Sequence, residues 1–385
     1  MKSRINLWSD RLFKQIQPLP AGMYHFQSPV DVKNQYRLHL RLEPDGGGIM
    51  VINASTILHL NNTAAEYAYY LINQKSPDEV GRLMQSRYQI SSKLAKDDFN
   101  KLNGQIQTLI ETPDLAPELF IDDARLDPYS TNISAPYRLD CALTYQTYSD
   151  FSNTPRSSER VKRELTSDEW KSILTKTAAA GIPHVIFTGG EPTIRPDLAE
   201  LISFTEEKDL VCGLITDGSR LTNSQYLHQL LNSGLDHLMI IVNGEESASW
   251  EALRDVISED IYVTAHLTIT HRSAPKIHDW IAGLVDLQVP SISLSMDDPG
   301  LSKTLKDAQE FVQLKGIKLV WDLPVPFSSN HPISVEISEH QEYISGAGKA
   351  WLYVEPDGDV LADQGDSKVL GNFVVDEWES IWKNR

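Results

Sequence analysis

Residues 184–198 have the sequence HVIFTGGEPTIRPDL, in which a short apolar run ends in two glycines and a helix-like segment begins a few residues later. A strand that passes directly into a helix is the unit from which parallel sheets are built. Glycines at the end of such a strand let the backbone approach another group closely. The stretch therefore predicts a βα unit whose turn is either a plain structural link or part of a binding site.

The same alternation of strand-like and helix-like segments continues on both sides of this stretch. The predicted strands are RLDCALTY, HVIFTGG, VCGLIT, HLMIIVN, IYVTAHLTIT, SISLSM and KLVWDLPV, and the predicted helices are SDEWKSILTKTAAAG, DLAELISFTEEK, QYLHQLLNSG, SWEALRDVI and KTLKDAQEFVQLKG. Repeated βα units with short links predict a parallel sheet covered by helices. Residues 133–335 are therefore predicted to form an α/β domain, either an open doubly wound sheet or a barrel.

A different pattern precedes this domain. Residues 35–60 alternate apolar and polar positions on both sides of Asp45-Gly46-Gly47-Gly48, which predicts a β-hairpin with a glycine-rich turn. Three helical segments follow, with predicted caps at Asn62-Thr63 and at Ser76. A winged-helix-like domain is predicted over residues 25–112, after an amino-terminal segment, residues 1–24.

Two further segments complete the predicted organisation. Residues 113–132 carry three prolines and several acids with little periodicity, which predicts a linker. Residues 336–385 contain a second hairpin around Asp357-Gly358 and end in a short helix, EWESIWKNR. They are predicted to form a small carboxyl-terminal extension.

Charge and composition exclude several classes of partner. The chain has 385 residues, with 35 Lys+Arg against 53 Asp+Glu, and its formal net charge is −18. Such an acidic surface repels a phosphate backbone, so neither nucleic acid nor an anionic membrane is expected as a partner. No apolar run has the length of a membrane span or a signal peptide, and a cytoplasmic location is the expectation.

Several of these segments together resemble one enzyme family. TGGEPTIRPDL is similar to the methionine-binding loop of the radical S-adenosylmethionine (SAM) superfamily, and ITDGS resembles the turn after the next strand in its peptide-modifying branch. YVEPDGDVLADQ with VLGNFVVDEWESIW resembles the SPASM-type extension of that branch. The segment LHLNNTAAEYAYYLINQKSPDEVGRLMQSRYQISSKLAKDDF resembles the PqqD-like peptide-recognition domain of pyrroloquinoline-quinone biosynthesis.

The resemblance implies an α/β fold, a partial (βα) barrel of the radical SAM type with an amino-terminal winged-helix-like domain and a short SPASM-like extension. It also implies that Gly189, Gly190, Glu191 and Pro192 are the residues that would bind SAM. His184 and His237, in or beside barrel strands, are expected to make ordinary packing and hydrogen-bonding contacts.

One feature of the family is missing from this sequence. The family holds a four-iron cluster through CxxxCxxC, because three thiolates bind three irons and leave the fourth open for SAM. If Leu143-Thr144-Tyr145 is aligned with the end of the family's first strand, the cysteine positions hold Thr147, Phe151 and Thr154. Neither a neutral hydroxyl nor a phenyl ring replaces a thiolate on iron.

A second alignment frame does not restore the motif. It places Cys141, Tyr145 and Tyr148 at the three positions, and the only other cysteine of the chain is Cys212. The auxiliary-cluster cysteine of the extension is likewise replaced, by Ala362. The sequence therefore predicts a degenerate homologue with no iron–sulfur cluster, and it assigns neither a catalytic residue nor a metal ligand.

Two functions remain open at this point. In one, the chain performs no radical chemistry but binds a precursor or leader peptide, or a cysteine-complete partner enzyme, and supports maturation of a ribosomal peptide or a cofactor. Domains of this kind capture a leader as an extra strand beside the hairpin. In the other, the chain is an enzyme that binds SAM and uses polar chemistry, because a sulfonium is electrophilic without iron.

Overall fold

The computed structural model describes residues 17–29, 36–53, 56–111, 133–148, 160–245, 247–320 and 346–385. Contacts divide the chain into two compact units, Met1–Arg125 and Leu126–Arg385. The predicted linker, residues 113–132, lies outside the described residues.

The described part of the first unit contains an antiparallel sheet with the strand order β1-β2-β3-β4. Its strands are β1 (Gly22–Gln27), β2 (Arg37–Leu42), β3 (Gly48–Ile52) and β4 (Thr56–Leu60). The hairpin predicted over residues 35–60 is confirmed as β2 and β3, but the stretch after its turn forms two strands, β3 and β4, rather than one. β1 and β4 therefore occupy both sides of the hairpin. β1 also crosses the boundary predicted between residues 24 and 25.

Helices share one hydrophobic core with this sheet. They are α1 (Asn62–Ile72), α2 (Pro77–Arg87) and α3 (Ser92–Glu111). The cap of α2 is confirmed: Ser76 and Glu79 form a reciprocal capping box. The predicted cap of α1 is wrong by one residue, because the side chain of Asn61 accepts the Ala64 N–H, while the Asn62 amide donates to the Asp45 carbonyl.

The second unit is built on a sheet whose strands run β11-β10-β9-β8-β7-β6-β5-β12-β13-β14. Neighbouring strands are parallel from β11 as far as β12 in this order. The β12–β13 and β13–β14 pairs are antiparallel. The strands are β5 (Arg138–Thr144), β6 (His184–Gly189), β7 (Val211–Thr216), β8 (His237–Ile241), β9 (Tyr262–Ile269), β10 (Ser291–Met296), β11 (Lys318–Leu319), β12 (Trp351–Val354), β13 (Asp359–Leu361) and β14 (Val369–Asn372).

Helices connect these strands and cover one face of the sheet. They are α4 (Ser167–Ala179), α5 (Leu198–Glu207), α6 (Ser224–Asn232), α7 (Ser247–Ile257), α8 (Ile277–Asp286), α9 (Ser302–Leu314) and α10 (Trp378–Lys383). The predicted βα alternation is confirmed, with one helix more than predicted, α8, which follows a short 3-10 turn containing Pro275. Among the described residues the sheet is open, with β11 and β14 as its outer strands.

The carboxyl-terminal residues extend this sheet. The hairpin around Asp357-Gly358 is confirmed, and its first strand, β12, pairs in parallel with β5. Trp378 and Trp382 of α10 stack with ring centroids 5.3 Å apart. No helix in the described part of the chain combines the length and hydrophobicity that a bilayer crossing requires. The cytoplasmic location stays a prediction.

Candidate functional site

The Gly189–Pro192 turn lies at the carboxyl end of β6 and is fastened to the loop that follows β5. The Gly190 N–H donates to the Thr144 carbonyl at 2.7 Å, and the Glu191 N–H donates to the Gln146 carbonyl at 2.8 Å. The carboxyl ends of parallel strands are where ligands bind in α/β sheets. The four residues predicted to bind a cofactor therefore lie together at the edge of the sheet where ligands bind in α/β folds.

The two glycines are required by the chain's own backbone. A Cβ at Gly189, whose φ is +121°, would lie 2.1 Å from the Thr144 carbonyl oxygen, and one at Gly190 would lie 2.2 Å from the Gln146 carbonyl oxygen. These oxygens belong to the backbone and cannot move aside as the end of a flexible side chain can, so a side chain at either position would clash. The glycine pair is thus explained without a ligand and does not by itself indicate one.

Glu191 is buried and joins the turn to the end of β7. Its Oε1 accepts hydrogen bonds from the Thr193 N–H at 2.9 Å, the Thr193 hydroxyl at 2.5 Å and the Thr216 hydroxyl at 2.8 Å. Its Oε2 accepts from the Asp217 N–H at 2.8 Å. Burial, with the Asp217 carboxylate second, raises the pKa of Glu191. Because a carboxylate oxygen offers two lone pairs, Oε2 can accept one further donor.

Thr188 was not singled out by the sequence, because a threonine in a strand carries no signal. Val185 and Phe187 belong to the core under the helices. Alternation along β6 therefore places Thr188 on the opposite face of the sheet. Its hydroxyl is buried, and within the described chain no group hydrogen-bonds to it. A buried hydroxyl without a partner is unfavourable, so this position beside Gly189 suits a ligand that supplies a polar atom.

The loop after β5, where relatives of this fold carry cluster ligands, is fastened by side chains at both ends. The Tyr145 hydroxyl donates to Glu355 Oε1 at 3.1 Å, and Arg160 Nε donates to Glu355 Oε2 at 2.9 Å. The Thr144 hydroxyl donates to Glu164 Oε1 at 2.5 Å. Burial, and then Tyr353 and Glu355, raise the pKa of Tyr145, which is held as a neutral phenol.

Neither cysteine lies in that loop. Cys141 is in the middle of β5 and Cys212 is in β7, and both are fully buried in the core under the helices. Burial, and then Asp140, raise the pKa of the Cys141 thiol well above its usual value. A buried, protonated thiol is a poor iron ligand.

The residues of the first alignment frame do not supply thiolates either. Thr147 lies in the described part of the loop, whereas Phe151 and Thr154 lie outside the described residues. Two cysteines in the whole sequence cannot provide three thiolates. The residues present therefore do not fit the family's cluster.

Other ionisable groups of this unit are engaged with one another. His184 Nε2 and His237 Nε2 lie 2.7 Å apart and share a hydrogen bond, as expected. Burial, with Arg138 second, lowers the pKa of His237 to about 4. Among the described residues, the carboxylates of Glu355, Asp357 and Asp359 lie close together. Because Glu355 is already bound to Arg160 and Tyr145, no metal site is assigned there.

Comparison with known proteins identifies the fold. Residues 141–257 match the model of the radical SAM superfamily. SuiB of Streptococcus suis bound to S-adenosylmethionine aligns with 93% of this chain and 88% of its own, at 14% identity and a TM-score of 0.57. The fold is of the radical SAM type. SuiB bound to its precursor peptide SuiA aligns with a TM-score of 0.56, covering 89% of this chain and 86% of that one, again at 14% identity.

Two curated relatives share one name. The PqqA peptide cyclase of Bradyrhizobium diazoefficiens is 38% identical over 116 residues, which are 30% of this chain and 29% of the relative. That of Methylorubrum populi is 31% identical over 172 residues, 41% of this chain and 44% of the relative. The match thus spans less than half of the relatives' length. The resemblance to a peptide-modifying radical SAM branch is supported, and the PqqD-like and degenerate assignments stay predictions.

Proposed function

We propose that this chain binds a precursor peptide through its amino-terminal unit and supports maturation of that peptide without performing radical chemistry itself. The carrying observation is that both thiols are buried in the core, while the loop after β5 is held by Tyr145, Arg160 and Glu355. The names of the relatives and the precursor peptide bound to SuiB support a peptide as the substrate class.

The edge at which a peptide would bind differs from the expected one. The two sides of the hairpin are filled by β1 and β4, so a further strand has to pair with one of these. Leu58 and Leu60 anchor β4 in the core, whereas β1 is exposed or half-buried along its length. A strand held rigidly costs less ordering entropy on binding. We therefore place the peptide beside β4.

Two hydrogen bonds at the ends of the hairpin show which peptide groups of β3 face β2 and which face β4. The Glu43 N–H donates to the Gly47 carbonyl at 2.9 Å, and the Asn53 N–H donates to the Arg37 carbonyl at 3.1 Å. Hydrogen-bonded and non-hydrogen-bonded pairs alternate along an antiparallel ladder. Odd-numbered residues of β3 therefore direct their peptide groups towards β2, and even-numbered ones towards β4.

The same alternation fixes the outer side of β4. Leu58 lies opposite Met50 and directs its peptide group towards β3. The peptide group of Ile57 then faces away from β3, towards the position of an added strand. Main-chain pairing of this kind tolerates varied peptide sequences.

Replacement of Ile57 by proline tests the site, because proline removes one outward N–H and leaves the β3–β4 ladder intact. Calorimetry with leader peptides encoded beside this gene should give at least tenfold weaker binding for Ile57→Pro than for the parent protein. Met23→Pro, at the equivalent outward position of β1, is the matched control and should bind normally. Circular dichroism should show that both variants are folded.

Two results would contradict the proposal. Loss of binding in Met23→Pro alone would move the peptide to β1. Failure of every leader peptide to bind the parent protein would remove the proposed function.

Chemistry on the peptide would then come from a cysteine-complete partner enzyme. Co-purification of the two proteins with and without the leader peptide tests this step. We expect a complex that depends on the peptide or on the amino-terminal unit, and absence of any complex would contradict it.

A second candidate is a SAM-binding enzyme that uses polar chemistry. The observations in its favour are the Thr188 hydroxyl, which has no partner in the described ranges, and the remaining acceptor capacity of Glu191 Oε2, both beside the Gly189–Gly190 backbone. These residues would hold the ligand, and its sulfonium would supply an electrophilic carbon. Equilibrium dialysis with labelled SAM tests it: binding that Thr188→Val weakens is expected, and no binding at millimolar SAM would exclude it.

A further inference from the structure

A second group of polar side chains lies near the same edge of the sheet, and neither proposed function uses it. Arg220 is in the 3-10 turn after β7, Tyr226 is in the first turn of α6, and Tyr148 is in the loop after β5. Thr193, from the turn after β6, contacts two of them. The three side chains are called the Arg220 group below.

Arg220 is a half-buried cation that forms no ion pair with any described residue. One guanidinium nitrogen donates to the Thr193 carbonyl, and the guanidinium carbon lies 4.0 Å from the centroid of the Tyr226 ring. Within the described ranges, no carboxylate forms an ion pair with it, although acidic residues outnumber basic ones by 53 to 35. The nitrogens that do not bond to Thr193 keep the planar fork that matches an oxyanion.

Two phenol hydroxyls accompany this cation. The Tyr226 hydroxyl is buried and has no hydrogen-bond partner among the described residues. Burial raises the pKa of Tyr226 to about 12, so it is a neutral donor at physiological pH. The Tyr148 side chain is 52% exposed, and its hydroxyl lies 3.5 Å from the Thr193 hydroxyl. The group therefore combines a cation that lacks an ion pair in the described part of the chain, a buried donor and an exposed side chain.

We propose that the Arg220 group binds an oxyanion, the carboxylate or phosphate of a small ligand. The guanidinium supplies charge and two-point recognition, and the phenols supply further donors. An acidic chain repels anions over most of its surface, so anion binding requires a local positive charge such as the Arg220 guanidinium. The alternative is a purely structural role, in which Arg220 only fastens the two turns through Thr193 and Tyr226. The proposal is independent of the peptide-binding function, and its test uses no peptide.

Arg220 provides the first test. Inorganic phosphate, acetate and SAM, which carries a carboxylate, are titrated into the full chain at constant ionic strength and followed by calorimetry. Saturable binding of at least one of them is expected, with a loss of at least tenfold in affinity for Arg220→Gln and a smaller loss for Arg220→Lys. Arg254→Gln, at an exposed position of α7, is the matched control and should bind as the parent does.

The set of anions that bind identifies the source of the oxyanion. Binding of phosphate alone assigns a phosphoryl group, and binding of acetate or SAM assigns a carboxylate. Absence of binding, or binding that Arg220→Gln leaves unchanged, would overturn the proposal.

Tyr226→Phe separates ligand binding from a structural role. Because the hydroxyl has no hydrogen-bond partner among the described residues, its removal should leave the melting temperature unchanged or raise it, while the anion binds several-fold more weakly. A lower melting temperature with unchanged anion affinity would show that the tyrosine is structural and would overturn its place in the site.

Discussion

Glu191 both stabilises the Gly189–Pro192 turn and is the residue of that turn expected to bind a ligand. Its carboxylate accepts four hydrogen bonds from three residues, and these bonds tie the ends of β6 and β7 together. The turn therefore keeps its shape without a ligand. What remains for a ligand is the second lone pair of Oε2 and the hydroxyl of Thr188.

The residue-scale prediction concerns this carboxylate. Glu191→Gln replaces one acceptor oxygen with an NH2 group that faces existing donors, so the free energy of unfolding should fall by about 1–3 kcal/mol. Chemical denaturation measures this change. Glu207→Gln, at an exposed position of α5, is the control and should unfold as the parent does. Equal stability of the two variants would show that the Glu191 network contributes little.

A second residue-scale prediction concerns His237. Its pKa in the folded state is about 4, below the ordinary histidine value of 6.5. Between these two pH values the unfolded chain is protonated at this residue and the folded protein is not. The stabilisation is present above pH 6.5 and is lost as the pH falls towards 4, by about 3 kcal/mol in total. Denaturation across this range should show a shallower pH dependence for His237→Gln. Identical slopes for variant and parent would contradict the assignment.

At the scale of elements, the loop after β5 is held by the carboxyl-terminal hairpin. Tyr145 and Glu355 are 210 residues apart in sequence, yet β12 lies beside β5 and brings their side chains into contact. Arg160, beyond the loop, binds the same carboxylate. The extension predicted from the sequence as a remnant thus binds the two described ends of this loop, at Tyr145 and Arg160.

The element-scale prediction tests this attachment. Glu355 is fully buried, and Glu355→Gln removes its charge and one acceptor beside the Arg160 guanidinium. Charged hydrogen bonds of this kind contribute about 1.5–3 kcal/mol each, and the melting temperature should fall clearly. Glu379→Gln, on the exposed side of α10, is the control. An unchanged melting temperature for Glu355→Gln would show that the loop is held elsewhere.

At the scale of the whole molecule, the chain combines a radical SAM-type fold with a sequence that has only two cysteines. Both thiols are buried in the core of the second unit. The fold is thus of the radical SAM type, and two cysteines cannot supply the three thiolates of that family's cluster.

Iron content is the corresponding prediction. Anaerobic reconstitution with iron and sulfide should leave the protein without the absorption band of an iron–sulfur cluster and without stoichiometric iron. The variant Thr147→Cys/Phe151→Cys/Thr154→Cys restores the motif in the first alignment frame and should gain iron under the same conditions. A cluster in the parent protein would contradict the proposed function.

Local patterns were sufficient to predict the βα order, the hairpins around Asp45–Gly48 and Asp357-Gly358, and the Ser76 cap. In each case the signal lies within a few residues of the feature, as periodicity, turn glycines or a capping side chain. α8 was not predicted although Ile277, Ile281 and Leu284 recur at helical spacing, so the local signal for this helix was present. β4 lies inside the stretch predicted as one arm of the hairpin, and only the strand pairing shows it to be a separate strand, whereas β1 has no regular alternation of buried and exposed residues.

The sequence by itself determined the fold class, the acidic surface and the shortage of thiolates, because these depend on composition and on spacing along the chain. Only the tertiary structure decided what the side chains do. It joined Glu191 to Thr216, Tyr145 to Glu355, and Arg220 to Tyr226. It also filled both sides of the hairpin with the chain's own strands. These contacts depend on which strands become neighbours, and that follows from packing of the whole core rather than from any local pattern.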